Sequence, residues 1–153
     1  MDMILWRHAD AQDEEAGGDD LKRPLTGRGE KQSARIAAWL DRQVPEGARI
    51  LCSPARRCEQ TVQALSRKYK IRQELAPECT AADLLEVAQW PSAKQAVLLV
   101  GHQPALGETI AQLLQFRHAT CPVRKGAVWW LRTRERDGHQ QTVLIAVQSP
   151  DVL

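Results

Sequence analysis

Three short apolar runs in this chain each end in residues able to hold an anion. "MILW" runs into Arg7-His8, "RILC" into Ser53-Pro54-Ala55-Arg56, and "VLLV" into Gly101-His102. In an open α/β sheet, ligands bind outside the carboxyl ends of the strands. If the three runs are neighbouring parallel strands, Arg7, His8, Arg56 and His102 converge on one small volume. Arg56 then also lies in the first turn of a helix, where unpaired backbone N–H groups favour negative charge. Arginine presents a planar fork that matches phosphate oxygens two at a time. Clustered cations repel one another, so two arginines with two imidazoles suit a dianionic phosphoryl group better than a carboxylate. Taken singly, Arg7 reads as a strand end meeting solvent and His8 as a buried histidine with a partner. Arg56 reads as helix surface, like Arg57 beside it, and His102 as a turn residue. Their equivalent placement is what points to an anion site.

That placement requires particular elements. A helix is expected from Thr26 as N-cap, burying Ile36, Ala37, Leu40 and Val44 before Pro45 and Gly47 end it. "ARILC" (48–52) reads as a buried strand, with Ser53 and Pro54 capping a helix striped by Cys58, Val62, Leu65 and Tyr69. "KIRQEL" (70–75) reads as an edge strand, and a short helix is expected from Thr80 to Ala88. "QAVLLVG" (95–101) is the clearest buried strand. A helix follows from Pro104 with Leu106, Ile110, Leu113 and Leu114 inward. "GAVWWLR" and "QTVLIAVQ" flank Asp137-Gly138, the signature of an antiparallel hairpin. Strand and helix in alternation imply an α/β fold. The expected form is a three-layer α/β/α sandwich with a mostly parallel mixed sheet and a C-terminal hairpin.

Bulk properties narrow the function. The 153 residues, 43% hydrophobic and 26% charged, suit one soluble globular domain spanning 1–153. A net charge of +2 gives no reason to expect nucleic acid or an anionic membrane as partner. The longest apolar stretch is too short to span a bilayer, and the N-terminus lacks a signal-peptide pattern, so a cytoplasmic location is the default. Cys52, Cys58, Cys79 and Cys121 lie far apart without a C-x-x-C pair, which favours reduced thiols over zinc. His118 and His139 read as surface residues, and Arg132, Arg134 and Arg136 as a solvated hairpin edge.

"RHA", "SPARRCEQT" and "GHQP", each after a strand-like run, together resemble the histidine phosphatase superfamily. That family carries R-H-G, S-x-x-x-R-x-x-x-T and a second histidine after a late strand. The small size, "RPLTGRGEKQ" and "VGHQPALGE" resemble its SixA-like phosphohistidine phosphatase branch. The resemblance implies a phosphoglycerate mutase-like fold. It also implies that His8 is the nucleophile, transiently phosphorylated, while Arg7, Arg56 and His102 bind the phosphoryl oxygens. No metal and no other cofactor is expected. The attacking imidazole must be neutral, and nearby arginines lower its pKa. Ala9 departs from the family's usual glycine.

A proton donor for the leaving group is harder to find. Gln103 follows His102 where some members have a carboxylate. Glu59, Glu74 and Glu78 lack a supporting motif, and Asp10 and Asp20 remain open, with Asp20 the candidate because it precedes Arg23 in the segment before "RPLT". A phosphorylated imidazole leaves without such help when its other nitrogen is protonated, near neutral pH. The expectation is therefore a protein-histidine phosphatase acting on a phosphorylated protein. A small-molecule phosphomonoesterase on the same fold is the alternative, and a non-catalytic phosphate-binding module a further one.

Overall fold

The computed structural model describes residues 1–153. Six strands form one sheet: β1 (Asp2–Arg7), β2 (Arg49–Cys52), β3 (Lys70–Ile71), β4 (Val97–Gly101), β5 (Val128–Arg136) and β6 (His139–Gln148). Their order across the sheet is β3-β2-β4-β1-β5-β6. β1, β4, β2 and β3 run parallel, β5 adds antiparallel to β1, and β6 adds antiparallel to β5. β2, β4 and β1 are thus adjacent and co-directional, with Cys52 opposite Val100 and Arg7 opposite Gly101. All three strands end at the same edge of the sheet.

Alternation along these strands sorts their side chains into two cores. Ile4, Trp6, Ile50, Cys52, Leu98 and Val100 face one side. There they meet Ile36, Ala37 and Leu40 of α1 (Gly27–Gln43) and Cys58 and Val62 of α2 (Arg56–Gln63). Met3, Leu5, Leu51, Val97 and Leu99 face the other side. Their partners are Leu84 and Val87 of α3 (Ala81–Ala88) and Leu106 and Ile110 of α4 (Ala105–Leu113). Covering both faces makes the central strands continuous apolar runs and gives the expected three layers.

Local chemistry sets the boundaries. Thr26 caps α1 by accepting from Gly29 N at 3.0 Å, and Thr80 caps α3 in a reciprocal box with Asp83. Asp137 and Gly138 both take positive φ in the hairpin turn. Trp130 packs in the core with α1, and Trp129 lies against the opposite one.

Three boundaries differ from the sequence expectation. α2 begins after Ala55 rather than at Ser53, because the Ser53 hydroxyl is taken by Ala55 N and by His102. α2 also stops at Gln63, and Ser66 enters the left-handed region at φ 56°, so Tyr69 lies beyond the helix. "KIRQEL" pairs over only Lys70–Ile71 before a 3-10 turn at Gln73–Leu75. Its weak alternation carried too little apolar surface to extend the sheet further.

Candidate active site

The three strand ends deliver their residues to one place. His8 follows β1 and His102 follows β4, and their rings stand 5.2 Å apart. His8 N donates to Gly101 O at 3.1 Å, which ties the two exits together. Both histidines are buried, at 7% and 3% exposure.

His8 Nδ1 lies 2.8 Å from Ala9 O. A carbonyl only accepts, so Nδ1 must carry the proton and Nε2 of the neutral ring the lone pair. Burial, then the charges of Arg57 and Arg7, push the His8 pKa from 6.5 to about 4 against an opposing pull from the Ala9 carbonyl. At neutral pH this histidine is therefore uncharged, with the Nε2 lone pair free.

His102 is fixed in the complementary sense. Its Nδ1 is 3.3 Å from Arg57 Nη2, a group that only donates, so Nδ1 accepts. Nε2–H then donates to Ser53 Oγ at 2.7 Å, with Cys58 Sγ 3.4 Å away. Burial first, then His8 and Arg57, lower its pKa to about 3. Two neutral imidazoles sit between guanidinium groups, so the positive charge of the site resides on the arginines.

The second-helix arginine is Arg57, and the expectation placed on Arg56 needs correction. Arg56 is exposed, whereas Arg57 is 3% exposed and reaches His102 and Asp20. Helical geometry decides between them. Arg57, Cys58, Thr61 and Val62 form the buried face of α2, and Arg56 lies off it. Counting S-x-x-x-R-x-x-x-T from Ser53 lands on Arg57 and Thr61, and that count was the signal available in the sequence. Thr61 belongs to the frame too, since its hydroxyl donates to Arg57 O at 2.7 Å and accepts from Ala9 N at 3.1 Å.

Arg7 is anchored by Nη1 donating to Val123 O at 2.7 Å. Arg7 Nε and Arg57 Nε are both buried and have no acceptor within the protein. Buried donors are nearly always paired. Both guanidinium groups also lie close enough to His8 for their charge to lower its pKa.

The carboxylate candidates separate cleanly. Asp10 is committed to Lys125 at 2.9 Å and to the Thr26 hydroxyl at 2.7 Å, and these bonds lower its pKa. Glu59 accepts from Tyr69, Glu74 pairs with Arg72, and Glu78 is exposed. Asp20 does reach the site, but between Arg23 (2.9 Å) and Arg57 (3.1 Å). Burial works to raise its pKa, and the hydrogen bonds and charges of the two arginines outweigh that and lower it. This is the wrong direction for a group that must carry a proton at neutral pH. Gln103 is structural: it bonds Cys121 O and Gly107 N, holding the loop whose Val123 carbonyl orients Arg7. No three His, Cys, Asp or Glu side chains form a metal-binding group. No helix is long and apolar enough to cross a membrane.

The family model described as "Histidine phosphatase superfamily (branch 1)" matches residues 3–82, more than half of the chain. The chain belongs to this superfamily. The phosphohistidine phosphatase SixA of Escherichia coli is 33% identical over 121 residues, 74% of each chain. A SixA homologue from Haemophilus influenzae is 29% identical and covers 98% of this chain and 97% of its own. The structure of protein histidine phosphatase SixA complexed with tungstate superposes with a TM-score of 0.77 at 27% identity, covering 99% of both chains. As a SixA-like histidine phosphatase, the chain differs at Ala9 from the usual glycine. Ala9 is fully buried and is not among the residues with positive φ, so its methyl group imposes no backbone strain.

Proposed function

We propose that this enzyme is a phosphohistidine phosphatase acting on a phosphorylated protein, with His8 as nucleophile. The observation that carries this reading is the His8 tautomer, with a bare Nε2 on a ring held neutral beside the orphaned Nε donors of Arg7 and Arg57. In the first step, the Nε2 lone pair forms a bond to phosphorus while the bond to the leaving nitrogen breaks. The leaving imidazole departs neutral when its other nitrogen already carries a proton. Arg7 and Arg57 hold the phosphoryl oxygens and spread the transition-state charge, and His102, whose Nδ1 accepts from Arg57, offers the same oxygens the one N–H that it otherwise gives to Ser53. In the second step, water attacks phospho-His8, releasing orthophosphate and restoring the ring.

The substrate class follows from the leaving group. An alkoxide needs a proton as it departs, and Asp20, the one candidate carboxyl that reaches the site, is held ionised by Arg23 and Arg57. A phosphorylated imidazole has no such need. The names of the SixA relatives support the same class.

The test is a comparison of kcat/KM on a phosphohistidine protein and on an alkyl phosphate, with mass-spectrometric trapping of phospho-His8 during turnover. The expected result is strong preference for phosphohistidine, label on His8, and loss of turnover in His8→Ala. Comparable rates on the two substrates would overturn the substrate class, and undiminished turnover in His8→Ala would overturn the mechanism.

A further inference from the structure

We infer that Asp20 is a positioning residue for the phosphoryl-transfer step, a latch that fixes Arg57 through the loop between β1 and α1. The inference rests on the proposed reading of His8 as nucleophile.

Arg57 is held at three points. Nη1 donates to Asp20 O at 2.9 Å, Nη2 donates to Asp20 Oδ2 at 3.1 Å, and Nη2 also lies 3.3 Å from His102 Nδ1. Asp20 therefore grips both terminal nitrogens of the guanidinium from one side. With those atoms committed, Nε is the donor left without a protein partner. The plane of the fork is set before substrate arrives, which is the form of preorganisation that charge stabilisation in a transition state requires.

The latch is itself braced. Asp20 Oδ1 accepts from Arg23 Nε at 2.9 Å, and Arg23 Nη1 donates to Gln12 O at 2.6 Å. Asp19 caps the 3-10 turn of Asp20–Lys22 by accepting from Leu21 N. The acidic segment at 11–20 thus ends in a turn from which the Asp20 carboxylate carries two arginines. Removing that carboxylate leaves Arg57 buried with one anchor fewer and free to rotate away from His102.

A latch and a proton donor make opposite predictions about the leaving group. A latch serves the transfer of phosphorus itself, so its loss slows all substrates alike. A donor matters only where the departing group needs a proton. The experiment compares Asp20→Asn with the wild type on p-nitrophenyl phosphate, whose leaving group departs unprotonated, and on an alkyl phosphate. Active sites are counted by phospho-His8 labelling so that rates refer to folded enzyme. Expected is a loss of roughly ten- to a hundredfold in kcat/KM, equal on both substrates, with orthovanadate inhibition weakened in step. Asp20→Glu, which keeps the charge, should recover part of the loss.

A loss confined to the alkyl phosphate would make Asp20 the acid and overturn the latch. Unchanged rates per labelled site on both substrates would also overturn it, leaving Asp20 a role in folding alone. If wild-type protein shows no label on His8, the underlying mechanism fails instead, so the two failures are distinguishable.

Discussion

Arg57 meets demands that neither lysine nor its neighbour can meet. Its fork contacts a carboxylate, a carbonyl and an imidazole nitrogen at once, while an ammonium is a single point charge on a flexible stem. Arg57→Lys and Arg57→Ala should each lower kcat/KM by about 10²–10³-fold, the effect of removing one transition-state donor. Arg56→Ala should stay within about threefold, because surface charges of this kind contribute little. Steady-state kinetics on a phosphohistidine peptide decides the point, and an equal loss in Arg56→Ala would sink the assignment. Arg7, His8 and His102 were legible in the sequence because each directly follows an apolar run that must end at the sheet edge. Arg57 was not, because strand endings say nothing about which helix face turns inward. Only counting four residues on to Thr61 separates the two arginines.

At the level of elements, the site depends on how tightly the chain leaving β1 is held. Asp10 N donates to Gln32 Oε1, Asp10 O accepts from Thr26 N, and Asp10 Oδ2 accepts from the Thr26 hydroxyl. This packs the His8 exit onto the first turn of α1. A Cβ at Gly29 would overlap the Asp10 carbonyl oxygen, a backbone atom that cannot move without shifting His8. Gly29→Ala should destabilise the protein by roughly 1–3 kcal/mol, the range for overpacking, and lower kcat more than KM. Gly27 opens the same helix, and a methyl group added there would meet nothing within 4 Å. Gly27→Ala should therefore leave stability unchanged or raise it by up to about 1 kcal/mol. Denaturant midpoints for the pair measure the difference, and equal shifts would refute the close-approach argument. The capped helices α1 and α3 and the Asp137-Gly138 hairpin could be read from sequence because their boundaries are set by local chemistry. The end of α2 and the brevity of β3 could not. Nor could the start of α2, since Ser53 is diverted from capping by His102, a partner 49 residues away, and no local pattern records that.

For the molecule as a whole, a site built from two buried neutral histidines makes stability depend on pH. His8 titrates at about 4 and His102 at about 3 in the folded state, against 6.5 when exposed. Between pH 6.5 and 4 the unfolded chain binds protons that the native state refuses. Stability is then fully present above about pH 6.5 and falls as pH is lowered, by up to about 1.4 kcal/mol per unit for each histidine. The Asp2, Asp10 and Asp20 carboxyls, whose pKa values are also lowered, contribute their own loss only near and below their ordinary value of 3.8. The histidine window therefore lies above the carboxylate window and can be measured separately. Equilibrium urea unfolding between about pH 7.5 and 4.5 should show the decline. His8→Asn, which binds no proton in either state, should flatten it by up to one proton's worth of slope. An unaltered slope in that variant would mean that His8 is not held neutral, and the nucleophile would lose its physical basis. Because the same lowered pKa keeps Nε2 unprotonated, turnover should persist down to about pH 5, and the acid limit of activity should be set by the unfolding of the protein before the protonation of His8.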